Sequence, residues 1–229
     1  LKPLVNKTLT GLYSPGSTIK PIVALSALEN NVISPNFKVN CSGKIEMYGQ
    51  TYHCWKKKGH GVVNVKGAMK QSCDTYFYEV ARKLGVDRLK ITAEKFGLGE
   101  KVLNDIYSNE KKGLVPNTEW KKNNLGKGWV LGETLITGIG QGYFQSTPMQ
   151  LCLMMAQLAN GGYEIKPRII DDKYALPPIV NAWRKEFTAK NKNLEISKSG
   201  LKKLFDNQEN IKFILDALYW ASNEPMGTS

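Results

Sequence analysis

Several things are missing from this sequence, and each absence narrows what the chain can be. No uninterrupted apolar run in its 229 residues approaches the roughly 18–20 residues of a membrane span; the longest candidate, around Leu151–Ala159, is about half that. No charged segment followed by an apolar one resembles a signal peptide near Leu1, so the chain reads either as soluble or as one whose targeting segment has been cut away. No internal repeat is visible, and no Pro/Gly/Ser-rich linker divides the sequence. Acidic residues are scarce, 20 Asp+Glu against 32 Lys+Arg, for a net charge of +12. That excess suits an anionic surface. No recognition motif accompanies it, so nucleic acid is not the expected partner. About half of the basic residues fall in lysine-rich stretches (56–58, 111–127, 184–203) that read as solvated loops.

What is present is globular composition, 41% hydrophobic and 23% charged, in a chain long enough to bury one core. The pattern is helix-rich. Apolar residues near a 3.6-residue period predict a helix from about Thr18 to Asn30, and another amphipathic helix from about Gln208 to Asn223. Residues 38–55 read as extended, in pieces around Lys44–Tyr48 and Thr51–Cys54. Asn64 and Asp74 are candidate N-caps, with the second helix ending before Gly85, and a further helix from Asp87 stops before Gly97. Gly97 to Phe144 reads as a long surface excursion, with Trp120 and Trp129 as anchors within it. Thr147-Pro148-Met149-Gln150 is a capping-box start for a helix to about Asn160. Apolar residues cover nearly every face of that helix, so it should be buried, with Cys152 a small core hydrophobe.

Candidate chemistry begins at Ser17-Thr18-Ile19-Lys20. Residues three apart share a helix face, which brings a serine hydroxyl and a lysine amine within reach. A lysine acts as base only when neutral. Against an ordinary lysine pKa near 10.4, neutrality at pH 7 costs about 4–5 kcal/mol, which burial and nearby cations can supply. Ser17 also stands at a helix start, where free N–H groups favour an oxyanion. The same spacing recurs at Ser108/Lys111 and Ser199/Lys202, but in wet, lysine-rich surroundings. Only Ser17 follows a Pro15-Gly16 turn and precedes an apolar helix. A second hydroxyl–carboxyl pair, Ser72 and Asp74, stands at another helix start, where an ordinary cap beside a surface serine is the plainer reading.

Together these segments resemble a known family. Tyr13-Ser14-Pro15-Gly16-Ser17-Thr18-Ile19-Lys20-Pro21 resembles the active-site serine segment of class B penicillin-binding proteins, and Ser72-Cys73-Asp74-Thr75-Tyr76-Phe77-Tyr78 resembles their second motif. Gly138-Ile139-Gly140-Gln141-Gly142, followed by Thr147-Pro148-Met149-Gln150-Leu151, resembles the segment ahead of their third. Gly59-His60-Gly61 and Gly132-Glu133-Thr134 point to the elongation type, the penicillin-binding protein 2 group. The resemblance implies an α+β fold of the penicillin-recognising serine transpeptidase, β-lactamase-like kind. It implies a serine-type D-Ala-D-Ala transpeptidase that cross-links peptidoglycan stem peptides through an acyl-enzyme on Ser17 and is acylated there by β-lactams. Lys20 would be the base, Ser72 a proton relay, and Asp74 a positioner of Lys20 and of substrate. No organic cofactor is implied. The implied setting is cell-wall and cell-shape synthesis on the periplasmic side of the inner membrane. There the protein would be held by an N-terminal anchor absent from this chain and partnered by an elongation-type membrane glycan polymerase. A β-lactamase and a catalytically silent scaffold are the alternatives; no deacylating carboxylate motif favours the first.

The third family motif, Lys-Thr-Gly or Lys-Ser-Gly on a cleft strand, is not evident. Lys198-Ser199-Gly200 has the letters, but Leu201 and two lysines follow it where a strand is required. Tyr219 to Thr228 resembles the segment that precedes the true motif, which is therefore expected beyond Ser229. Residues 1–229 are expected to be a transpeptidase domain fragment. Such a fragment would be mostly helical, with an incomplete central antiparallel sheet, and inactive alone.

Three of the four cysteines, Cys41, Cys54 and Cys73, fall close to both histidines, His53 and His60. Thiol and imidazole ligands suit tetrahedral zinc. A Cys41–Cys54 disulfide and free thiols are the competing readings. The resemblance places Cys41, Cys54, His60 and Cys73 at the ligand positions of a structural metal site known in relatives. His53 is expected to face solvent, opposite Cys54.

Overall fold

In the computed structural model, residues 5–103, 108–167 and 202–228 are described. The architecture is α+β, as expected, and is dominated by helices. After the short helix α1 (Lys7–Thr10), a 3-10 turn (Gly16–Ile19) runs directly into α2 (Lys20–Glu29). Four strands follow: β1 (Lys38–Cys41), β2 (Lys44–Met47), β3 (Gln50–His53) and β4 (Gly61–Asn64). Then come α3 (Val65–Lys70), α4 (Asp74–Leu84), α5 (Val86–Lys95), α6 (Thr118–Leu125), α7 (Leu131–Thr137), α8 (Pro148–Ala159) and α9 (Gln208–Asn223).

The core is organised around α2, whose residues from Lys20 to Leu28 are all buried. A helix apolar on every side must be covered on every side. Here α4, α5 and α9 pack against it, and α9 also covers α3. Pro21 sits in the first turn of α2, where its missing N–H breaks no intrahelical bond. Gln208–Asn223 has the expected bounds, and α8 starts with the expected capping box between Thr147 and Gln150.

The strands make two antiparallel pairs, β1 with β4 and β2 with β3. β1 pairs Lys38 with Asn64 through Cys41 with Gly61. β2 and β3 form a tight hairpin in which Met47 faces Gln50 across Tyr48 and Gly49. Those two turn residues have φ of 55° and 72°, the conformation whose twist matches a two-residue hairpin. Among the described residues no larger sheet is formed.

Four local expectations need correcting. Gly97 to Phe144 is not wholly irregular: it contains α6 and α7, and Leu135 of α7 is fully buried. Not every lysine in the basic stretches is solvated, since Lys121 is buried and pairs with Glu133 Oε1 at 2.6 Å. Helix α8 is not covered all round, because Cys152 and Met155 are exposed. Asp74 is the first helical residue of α4 and not its cap, a position held by Cys73. Lys198-Ser199-Gly200 and the Ser199/Lys202 pair lie wholly or partly outside the described residues.

Candidate active site

The segment carrying Ser17 is fixed from behind by the chain around residues 140–146. Tyr13 and Ser146 exchange both backbone hydrogen bonds at 2.9 Å, and Gly16 N–H donates to Gly140 O at 2.9 Å. A Cβ on Gly140 would overlap the backbone of Gly16, so that position must be glycine for the two strands of chain to touch. This glycine-rich stretch is a backing for the serine turn. Ser17 is thereby presented, exposed, at the head of α2. Lys20, one turn on, points inward and is buried.

The second motif is delivered by the end of α3. Ser72 N–H donates to Met69 O at 3.1 Å and Cys73 N–H to Ala68 O at 2.9 Å. These are the two bonds of a helix-terminating motif whose penultimate residue is left-handed and is usually glycine. Here that residue is Ser72, with φ 49°. A serine in this conformation costs about 1–2 kcal/mol relative to ordinary backbone. The strain aims its hydroxyl at Ser17.

The four residues singled out by the sequence meet. Ser72 Oγ lies 3.1 Å from Ser17 Oγ. Lys20 Nζ donates to Ser72 Oγ at 2.9 Å, to Ser72 O at 2.9 Å and to Asp74 Oδ1 at 2.7 Å. Lys20 and Asp74 form an ion pair with side chains only 3% and 14% exposed. This departs from the simple expectation of an amine resting on Ser17. All three donors of the ammonium are engaged elsewhere, and Lys20 reaches Ser17 through Ser72. Asp74 also benefits from the first turn of α4, where a carboxylate meets the positive end of the helix.

Ser17, Ser72 and Asp74 open into a cavity of about 610 Å³, lined also by Trp55, Ile139 and Gln141. Sequence reasoning did not assign those three residues to the cleft. Gln141 carried a signal, its place in the glycine-rich stretch; Trp55 carried only its position beside Cys54.

Cys41, Cys54, His60 and Cys73 also come together, with one ligand atom of each within 4.8 Å of the others. His60 Nδ1 is 3.5 Å from both Cys41 Sγ and Cys54 Sγ. Tetrahedral zinc with Zn–S near 2.3 Å and Zn–N near 2.05 Å would set that separation at about 3.5 Å. The residues therefore fit a structural zinc. All three thiols are free, without the Cys41–Cys54 disulfide that competed with this reading. The Cys73 thiol, hydrogen-bonded to Cys54, holds Cys54 far below the ordinary thiol range despite its burial. Cys73 itself is pushed up, by that same bond and by burial. His53 is exposed, as expected.

Over residues 1–208 the chain matches the penicillin binding protein transpeptidase domain. Peptidoglycan D,D-transpeptidase MrdA of Escherichia coli is 41% identical to it over 170 residues, 73% of this chain and 27% of that protein. The matched part is about a quarter of the length of such curated relatives. Among solved structures, PBP2 of Pseudomonas aeruginosa in complex with WCK 5153 superposes with a TM-score of 0.80 at 36% identity, covering 98% of this chain and 48% of that one. PBP2 of Helicobacter pylori in complex with MreC gives a TM-score of 0.80 at 31% identity, covering 99% of this chain and 38% of that one. Agreement in fold, in sequence and in the convergence of both motifs on one cleft leads to a single assignment: the chain belongs to the penicillin-binding protein transpeptidase domain family.

Proposed function

We propose that the chain is the transpeptidase domain of an elongation-type peptidoglycan D,D-transpeptidase, with Ser17 as nucleophile and as the group acylated by β-lactams. The observation that carries this reading is the unbroken path from Ser17 Oγ through Ser72 Oγ to Lys20 Nζ, at 3.1 and 2.9 Å. Ser17 attacks the carbonyl of the penultimate D-Ala of a stem peptide. As its Oγ–C bond forms, its proton passes to Ser72 Oγ while the Ser72 proton moves to Lys20, which accepts it as the neutral amine. As the C–N bond to the terminal D-Ala breaks, the proton held by Lys20 returns through Ser72 Oγ to the departing amine nitrogen. An amine from a neighbouring stem peptide then resolves the acyl-enzyme. Asp74 holds Lys20 in register throughout, and Lys20, buried, has little freedom to leave it.

Zinc on Cys41, Cys54, His60 and Cys73 belongs to the same reading as a structural element, with all four positions filled by protein. Bound there, it would cross-link β1, the loop after β3 and the start of α4. Cys73 stands between Ser72 and Asp74, so such a cross-link would hold the second motif in place. The setting we propose is the periplasmic face of the inner membrane, with a membrane glycan polymerase as partner. The Helicobacter pylori relative is found in complex with MreC, which supports a protein partner for this domain.

The direct test is release of D-Ala from a peptide ending in D-Ala-D-Ala, with an acceptor amine present, by the intact protein. Release and peptide transfer that vanish in Ser17→Ala support the reading. Turnover that persists in Ser17→Ala contradicts it.

A further inference from the structure

Trp55 stands out because burial does not explain it: the side chain is 57% exposed at the wall of the cleft. Its N–H groups are directed at the second motif and at Gln71 just before it. The backbone N–H donates to Asp74 Oδ2 at 3.0 Å, and the indole Nε1–H is shared between Gln71 O and Ser72 O, each at 3.1 Å. Both ends of its loop are pinned, by Cys54 N–H to Gly43 O at 2.9 Å and by His60 N–H to Cys41 O at 3.0 Å. The indole ring meets the His60 ring edge-on, with centroids 5.4 Å apart.

Two acceptors are shared between Trp55 and Lys20. Asp74 offers one oxygen to each, and Ser72 O accepts from both the indole and the ammonium. Ser72 is the one strained link in the relay, with φ 49°. Its carbonyl direction fixes the peptide plane that leads to Cys73, and so the aim of Oγ at Ser17. We propose that Trp55 is a positioning residue for acylation: its indole N–H locks the Ser72 peptide so that Ser72 Oγ bridges Lys20 and Ser17. Without that donor, Ser72 O is held by Lys20 alone, and the amine is drawn toward the carbonyl and away from the hydroxyl. Errors of about 1 Å in such a relay cost up to about a hundredfold in rate. Fold stability should change little, because so little of the side chain is buried.

This inference rests on Ser17 being the acylated group, and the experiment separates the two claims. Reaction of a fluorescent penicillin with the intact protein is followed by stopped flow, giving the limiting acylation rate and the half-saturating concentration separately. Three proteins are compared: wild type, Trp55→Phe, and a variant carrying 3-benzothienylalanine at position 55, which keeps the indole shape with sulfur in place of N–H. The expected result is a limiting rate at least about tenfold lower in both variants, with half-saturation changed less than about twofold and the thermal midpoint nearly unchanged. Wild-type rates in the benzothienyl variant overturn the proposal while leaving the Ser17 reading intact. Loss of rate only in parallel with loss of folding in both variants also overturns it, because Trp55 is then structural. A wild-type protein that takes up no penicillin defeats the Ser17 reading and this inference with it.

Discussion

Gly16 donates its N–H to the carbonyl of Gly140 at 2.9 Å, and a methyl group on Gly140 would overlap the backbone of Gly16. Gly140 also has φ 73°. Gly140→Ala should therefore cost more than about 2 kcal/mol in stability, from strain and overlap together. It should also push the Ser17 turn outward and slow acylation about a hundredfold. Chemical denaturation and penicillin-binding kinetics on the same variant check both halves.

Ser72 makes an opposite prediction for stability and rate. Ser72→Gly and Ser72→Ala both delete the relay hydroxyl and should both slow acylation by about 10²–10³-fold. Only glycine relieves the left-handed backbone at φ 49°. The glycine variant should therefore be more stable than the alanine variant by about 1 kcal/mol, or about 2–4 °C in melting temperature. Equal melting temperatures would show that the strain inferred at Ser72 is not there.

Lys20 and Asp74 should be coupled. Lys20→Met leaves Asp74 Oδ1 without its 2.7 Å partner and should cost about 3 kcal/mol. That is the low end for a broken buried pair, because Asp74 keeps the Trp55 N–H and the helix start. Adding Asp74→Asn should recover part of that loss without restoring acylation. A double-mutant cycle read by thermal unfolding and by penicillin labelling separates the structural role from the chemical one.

For the metal, purification without chelator should yield one zinc per chain by elemental analysis. Removing it should lower the melting temperature by several degrees and slow acylation, because Cys73 sits inside the second motif. Cys41→Ser should reproduce both effects in part. Retention should weaken as the pH falls, since protons compete with zinc for thiolate and imidazole. Acylation unchanged after complete removal would separate the metal from the second motif.

Local patterns were readable from the sequence, and long-range ones were not. The Thr147 capping box and the bounds of α9 follow from residues a few positions apart, so they stood where expected. Helix α6 was hidden because no apolar stripe builds it. Asn117 caps it by accepting from Trp120 N–H at 2.9 Å, Gly126 ends it at φ 64°, and its one buried residue is Lys121, paired to Glu133. Apolar residues all round α8 do not tell which face meets the core, and Cys152 lies on the exposed one. In the site, each motif was legible alone, but the contact between Ser17 and Ser72, 55 residues apart, came only from family resemblance. Trp55 escaped notice because its hydrogen bonds reach residues 16 to 19 positions away, beyond any local pattern.

Intact-mass analysis of the whole protein after incubation with penicillin, followed by peptide mapping, probes the central claim most directly. The account predicts one adduct, on Ser17, absent from Ser17→Ala and formed much more slowly by Lys20→Met. An unmodified protein, or an adduct that maps to another residue, would contradict it.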